Sequence, residues 1–330
     1  MVVNAFALPT LYAVQKQLLK TLSAPQMTFL YKLAVFVFFT PWALRKGFKA
    51  LHTPVLPLHI LRAFLSTTAG ILFAFGLQHK GIVSATAIQH MEQVFWVMIG
   101  AIYFKEKINA TKVTAILISF IAAVLVTMPQ IPEVIWNSLT GNTESQQSIE
   151  FDYHYIFVIG AVICWTINST VVKVLGKTVK NDVQAFYVLL FSVIIAYPTA
   201  FFKWQWHQIG ESFMHYPSFN GLVDLSNFTL NDTQVIQILV LALLCFTHLF
   251  AFFLAMKYAE MSTVAPFDYL KLIFSCVLAY FFTGDLPNET SQYVGYVLII
   301  LAGVSLVTSE RRRLKKQEKL EKLETQIENV

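Results

Sequence analysis

The stretch SATAIQHMEQVFWVMIGAIYF, Ser84 to Phe104, carries polar chemistry inside what otherwise reads as a bilayer helix. Gln89, Glu92, Gln93 and Trp96 recur at i, i+3, i+4 and i+7, so a helix places all four on one face. A carboxylate at mid-bilayer costs at least about 2.5 kcal/mol on insertion scales, and lipid rejects such a face. It must look into a helix bundle or a wet cavity, where a carboxylate can bind an amine or hold a proton. In VAPFDYLKLIFS, Asp268, Lys271 and Ser275 form a second polar stripe at helical spacing. Lys32, in FLYKLAVFVFF, is the remaining deeply placed charge. Lys16, Arg62, Lys173 and Glu260 fall nearer the ends of apolar runs, where long side chains snorkel, and are expected at the interface.

Other residue types add candidates of lower specificity. Tyr12, Trp96, Trp165, Phe267 and Tyr269 could stack on a flat or cationic solute, although in a chain with 29 Phe an aromatic residue serves packing first. His79, His90 and His248 are either proton carriers or hydrogen-bonded interior residues. Pro266 marks a break in its span. Cys164, Cys245 and Cys276 all fall in apolar runs without paired spacing, so no disulfide or metal site is expected.

The elements that must position these residues are membrane helices. Hydrophobic residues make up 56% of the 330 residues and charged residues 13%, against the roughly 25% charged of soluble domains. Ten apolar runs are expected to span, at 2–19, 26–44, 58–77, 83–104, 111–128, 154–176, 184–202, 234–256, 263–283 and 291–308. With both termini cytoplasmic, the inside connections hold Arg45, Lys46, Lys49, Lys105, Lys107, Lys112, Lys177, Lys180 and Lys257, together with a basic and acidic tail at 309–330. The outside connections hold Lys20, Lys80 and Lys203, so the positive-inside rule selects this orientation. That tail holds seven of the 24 basic residues with five glutamates interleaved, so the net charge of +5 points to a cytoplasmic flank weakly attracted to anionic lipid rather than to nucleic acid.

Self-comparison divides the chain in two. SATAIQHMEQVF from Ser84 aligns without gaps to TVAPFDYLKLIF from Thr263, which pairs Glu92 with Lys271 and Gln89 with Asp268. FLYKLAVFVFFTPWA resembles FYVLLFSVIIAYPTA, pairing Pro41 with Pro198. Five spans per repeat is odd, so the second repeat enters the membrane in the opposite sense, a plan that places solute sites at the midplane of secondary transporters. The expected fold is therefore all-α, with ten transmembrane helices as two inverted five-helix repeats around a central cavity. The expected divisions are a first repeat at 1–128, an extracytoplasmic loop at 129–153, a second repeat at 154–308 and the tail.

FGLQHKGIVSATAIQHMEQVFWVMIGAIYFKEKINATKVTAILISFIAAVLV resembles the half-repeat of the drug/metabolite transporter superfamily, EamA type, and FFLAMKYAEMSTVAPFDYLKLIFSCVLAYFFTGDLPNETSQYVGYVLIILAGVSLV is similar to it as well. Glu106 and Asp285 stand at that family's acidic position after the fourth and ninth spans. The resemblance implies ten helices, two inverted repeats, a central cavity for a small-molecule substrate and no bound cofactor; with no nucleotide-binding motif in the sequence, coupling is expected to come from a gradient or from exchange. The expected function is secondary transport of a small polar metabolite, an amino acid or an S-adenosylmethionine-like solute, in a bacterial inner membrane. Glu92, Lys271, Asp268, Gln89, Gln93, Lys32, Trp96 and Tyr269 are the expected substrate or proton ligands.

Two other classes compete with this reading. A membrane-embedded enzyme needs a catalytic constellation, yet there is no H-E-x-x-H or G-x-S-x-G, and VVKVLGKT has Val171 where a phosphate-binding loop needs Gly. A non-transporting scaffold or receptor needs no wet cavity. Gly295, Ala302 and Gly303 in the last span suit close packing either within one bundle or against a second copy in a homodimer.

Overall fold

The computed structural model describes residues 2–45, 47, 51–105, 110–140, 152–208, 215–222, 229–258, 270–282, 284, 289–305, 308, 309 and 312. Asp268 and Tyr269 lie outside the described residues, as do Glu106, Glu260, Pro266, Phe267 and Asp285. The elements are α1 (Val2–Leu18), α2 (Ala24–Leu44), α3 (Leu56–His79), α4 (Ile82–Gln89), α5 (Met91–Ile102), α6 (Ala110–Thr127), α7 (Ile131–Thr140), α8 (His154–Leu175), α9 (Asn181–Phe201), β1 (Phe202–Gln208), β2 (His215–Leu222), α10 (Asp232–Tyr258), α11 (Leu270–Phe282) and α12 (Thr290–Ser305). Helices dominate because lipid offers the backbone no hydrogen-bond partner, so each spanning segment must satisfy its own N–H and C=O groups.

Among the described residues five helices, α2, α3, α8, α9 and α10, are each long and apolar enough to cross a bilayer, and α6 with α7 makes a sixth if that pair is one span bent by 88°. The chain is thus an integral membrane protein. α1 and α12 are apolar but shorter, and the described part of α11 begins at Leu270. Large apolar side chains such as Phe38, Ile102, Ile194, Ile236 and Phe281 are exposed, as a surface in contact with lipid requires.

Local chemistry sets several helix ends. Ser23 precedes α2 in extended backbone and accepts from Gln26 N, while Gln26 Oε1 accepts from Ser23 N, a reciprocal capping box. Pro41 and Pro198 each sit in the final turn of their helices, α2 and α9. Lys16, expected at the interface, instead donates to the carbonyls of Leu77 at 2.8 Å and Lys80 at 2.7 Å, capping the C-terminal end of α3.

The bundle is held by close helix pairs. α3 packs on α8, α2 on α9, α1 on α10, α3 on α9, α2 on α10, α1 on α11, and α4 on both α8 and α11. Small residues permit the closest approach: a Cβ at Gly76 of α3 would stand 2.3 Å from Val158 Cγ2 of α8. Gly295 of α12 is used in the same way within the chain, since a Cβ there would meet Val126 Cγ2 at 2.8 Å and Ala122 O at 2.9 Å on α6. At the end of α3, the Lys80 ammonium binds the Asp152 carboxylate, and the His79 and His154 rings stack with centroids 4.1 Å apart.

Three features differ from the sequence expectation. The segment 83–104 is not one helix, because His90 separates α4 from α5. Its N–H is shared between the carbonyls of Thr86 at 3.2 Å and Ala87 at 3.1 Å, a tightening of 3₁₀ type that shifts the helical phase. Within the expected loop at 129–153 stands α7, with Ile135 and Trp136 exposed. The polar connection after α9 forms an antiparallel hairpin in which Trp204 pairs with Phe219 and Trp206 with Pro217, so the described residues are helical with one two-stranded hairpin.

Candidate functional site

A cavity of about 130 Å³ lies inside the bundle and is lined from α1, α2, α3, α4, α5, α8, α9, α10 and α11. Five of the sequence candidates line it: Gln89, Glu92, Trp96, Lys32 and Lys271. Gln93 is buried at 1% exposure but does not line it, because the turn at His90 rotates α5 relative to α4. Tyr12, Trp165 and His248 line the cavity too.

Each polar group is placed by a partner from a different helix. Glu92, 5% exposed and in the first turn of α5, accepts a hydrogen bond from Ser169 Oγ of α8 at 3.1 Å. The break at His90 gives this carboxylate a helix N-terminus, whose N–H dipoles favour negative charge. On α4, Gln89 Oε1 accepts from the Tyr12 hydroxyl of α1 at 3.0 Å. Lys32 Nζ of α2 donates to Thr67 Oγ1 of α3 at 3.1 Å and to Ser192 Oγ of α9 at 3.3 Å. Lys271 is 4% exposed and lies within electrostatic reach of His90 and His248. His248 Nδ1 in turn is hydrogen-bonded to Asn4 Oδ1.

Aromatic side chains wall the polar groups. Phe73 packs against Tyr12 and Trp165 with centroids 4.5 and 5.0 Å away. Trp96 rests near Phe252 at 5.9 Å, and its buried indole Nε1 has no hydrogen-bond partner among the described residues. The arrangement offers acid, ammonium, amide and ring faces to one solute. A larger cleft of about 250 Å³ between α5 and α8 is lined by Phe95, Met98, Ile102 and Ile163 among others, and Thr166 is its one non-hydrophobic lining residue. It has no charged group to orient a polar solute and suits a lipid chain, so the smaller polar cavity is the candidate site.

Arg62, like Lys16, is not where the sequence placed it. It is not at the interface but 1% exposed and on the cavity wall, with Nη1 donating to Gln184 Oε1 at 3.1 Å and to the Gln184 carbonyl at 3.4 Å. The signal that could have found it is the spacing of Arg62, Ser66, Gly70 and Phe73, which share one face of α3 and all line the cavity. Thr67, Ser169 and Ser192 were also unmarked, because an isolated hydroxyl in an apolar helix commonly bonds its own backbone instead.

Known proteins of similar sequence are membrane carriers. The chain is 20% identical over 296 residues to an S-adenosylmethionine uptake transporter of Rickettsia bellii, covering 87% of each chain. A riboflavin transporter of Brucella anthropi is 22% identical over 273 residues, covering 82% of this chain and 83% of its own. A solved crystal structure shares the fold with a TM-score of 0.62 at 11% identity, covering 94% of this chain and 97% of that one. The EamA-like transporter family model matches residues 1–128 and 153–309, and the chain belongs to that family.

Proposed function

We propose that the protein is a secondary transporter that carries a small polar metabolite, an amino acid or an S-adenosylmethionine-like solute, by alternating access. The observation that carries this reading is the cavity within the bundle that Glu92, Lys32, Lys271, Trp96 and Trp165 all line. A carboxylate suits an ammonium or sulfonium, a lysine suits a carboxylate, and an indole suits a flat ring. In this mechanism Glu92 binds the substrate amine or a proton, with Lys271 or Lys32 facing a carboxylate, and Gln89 orients the solute. Asp268 and Tyr269, three and two residues before Lys271, are further candidate ligands on their sequence spacing alone, outside the described residues. The relatives' names, S-adenosylmethionine uptake and riboflavin transport, favour solutes with a flat heterocycle.

The packing supports ten spans in two inverted repeats, with α4 and α5 forming one span. Exchanging α1, α2, α3 and α4/α5 for α8, α9, α10 and α11 turns the α3–α8 contact into α10–α1 and the α3–α9 contact into α10–α2. The α4/α5–α8 contact becomes α11–α1, and α2–α9 maps onto itself; each of these pairs is made. Both sets line the cavity, while α6 and α12 contribute no described lining residue. A bacterial inner membrane with both termini cytoplasmic completes the reading.

At about 130 Å³ the cavity is smaller than the roughly 300–1,000 Å³ of ordinary ligand pockets, as befits a closed conformation that must part to admit a nucleoside-bearing solute. The purified chain, reconstituted in liposomes loaded with unlabelled S-adenosylmethionine or methionine, is expected to accumulate the labelled compound by counterflow. Flux no greater than in protein-free vesicles for both solutes rejects this substrate class.

A further inference from the structure

Arg62 is a permanent cation, because a guanidinium does not lose its proton in proteins. It is 1% exposed, and among the described residues no carboxylate lies within ion-pair reach of it. Its neighbours are neutral: Gln184 accepts from Nη1, and the Phe253 ring lies 4.3 Å from Cζ. Gln184 is itself held, since its Nε2 donates to the Val179 carbonyl at 3.1 Å. Nε, on the opposite edge of the guanidinium from Nη1, is buried without a hydrogen-bond partner. That edge, Nε with Nη2, is one that a carboxylate takes with two parallel hydrogen bonds.

Glu92, the one acid among the described lining side chains, is held by Ser169 and forms no ion pair with Arg62. A buried cation with only neutral partners is a poor strut, since apolar residues of the same volume hold helices together at least as well. The charge is explained when a ligand brings the missing anion. Lys32 serves a different place, for its partner Ser192 stands two turns along α9 from Gln184, about 12 Å away by helical rise.

The structure assigns Arg62 as the receptor for the carboxylate of the transported solute, on the part of the cavity wall that it shares with Phe253. This rests on the transport reading and revises its polarity: the carboxylate lies toward Arg62 rather than toward Lys271 or Lys32, and the ammonium or sulfonium toward Glu92. The specificity-determining contact is the Nε edge, with Gln184 as the residue that positions it.

The test compares the full chain with Arg62→Met and Arg62→Lys, purified in detergent. The probes are S-adenosylmethionine and its decarboxylated analogue, which keeps the sulfonium, the ammonium and the adenine. The wild type is expected to favour the carboxylate form by about tenfold to a hundredfold. Arg62→Met is expected to lose that preference and Arg62→Lys to keep part of it. An undiminished preference in Arg62→Met, or in Arg62→Lys should the Met variant not fold, overturns the assignment. If the wild type binds neither probe, the substrate reading fails by itself, and benzoate against benzamide decides the role of Arg62. Benzoate is then expected to raise the melting temperature of the wild type and not that of the variant; a rise in both or in neither overturns it.

Discussion

Ser169 of α8 holds the Glu92 carboxylate of α5 by a hydrogen bond of 3.1 Å, so the only acid among the described lining residues is oriented by a helix 77 residues away. Ser169→Ala removes one donor to a charged acceptor, a bond worth about 1.5–3 kcal/mol. If Glu92 grips the solute, the expected outcome is a KM raised about tenfold in the liposome assay, with the melting temperature nearly unchanged. An unaltered KM would show that Glu92 does not depend on this bond.

Glu92→Gln keeps the size and the acceptor oxygen but removes the charge. Counterflow is expected to fall by at least tenfold, while the protein stays monodisperse and its melting temperature holds or rises, because a buried charge is costly to the fold. Full counterflow in this variant rules out Glu92 as the ligand for an amine or a proton.

Gly76 and Val158 bring α3 and α8 so close that any side chain at Gly76 must displace Val158. Gly76→Leu is expected to cost about 1–3 kcal/mol by overpacking. A second change, Val158→Ala, vacates the space and should return part of the loss, which thermal unfolding of the four proteins of the cycle measures. Additive losses would mean that the two residues do not meet.

Lys16 caps the end of α3 through the carbonyls of Leu77 and Lys80. Lys16→Met keeps the stem and deletes the donor, leaving two part-buried carbonyls bare. A stability loss of about 1–3 kcal/mol is expected, read as a lowered melting temperature; a fully snorkelled lysine would give almost none.

At the same corner Asp152 pairs with Lys80 and accepts from His154 N at 3.0 Å. Asp152→Asn keeps an acceptor for His154 and loses only the charge, a change of about 0.2–1 kcal/mol for an exposed pair. Asp152→Ala loses both and should be the more damaging of the two in thermal unfolding. Equal effects would assign the whole contribution to the charge.

What the sequence disclosed follows from what lipid forbids. Glu92, Lys271 and Lys32 were legible because a charge far from both ends of an apolar run has nowhere to go but inward. Arg62 was not, because depth along a helix does not say which way a long side chain turns. Its direction is fixed by Gln184, 122 residues further along the chain. The helical content was legible for a similar reason, and the apolar run at 26–44 became Ala24–Leu44. The break at His90 left no sign, since neither Pro nor Gly marks it and a bifurcated bond has no sequence signature. α7 and the hairpin were readable in principle. Ile131, Val134 and Ile135 recur at helical spacing after the break at Pro129, and Trp204 and Trp206 alternate with polar residues at the period of a strand.

The turn at His90 divides one apolar run between two anchors. α4 is tied to α1 through Tyr12 and Gln89, and α5 to α8 through Ser169 and Glu92. Gln89 and Glu92 are three residues apart in sequence, yet each is fastened to a different half of the chain. Any sliding of α8 against α1 must therefore be taken up within a single turn of backbone. His90 is placed as the elbow of a lever, and the solute-facing groups on either side of it register that displacement first.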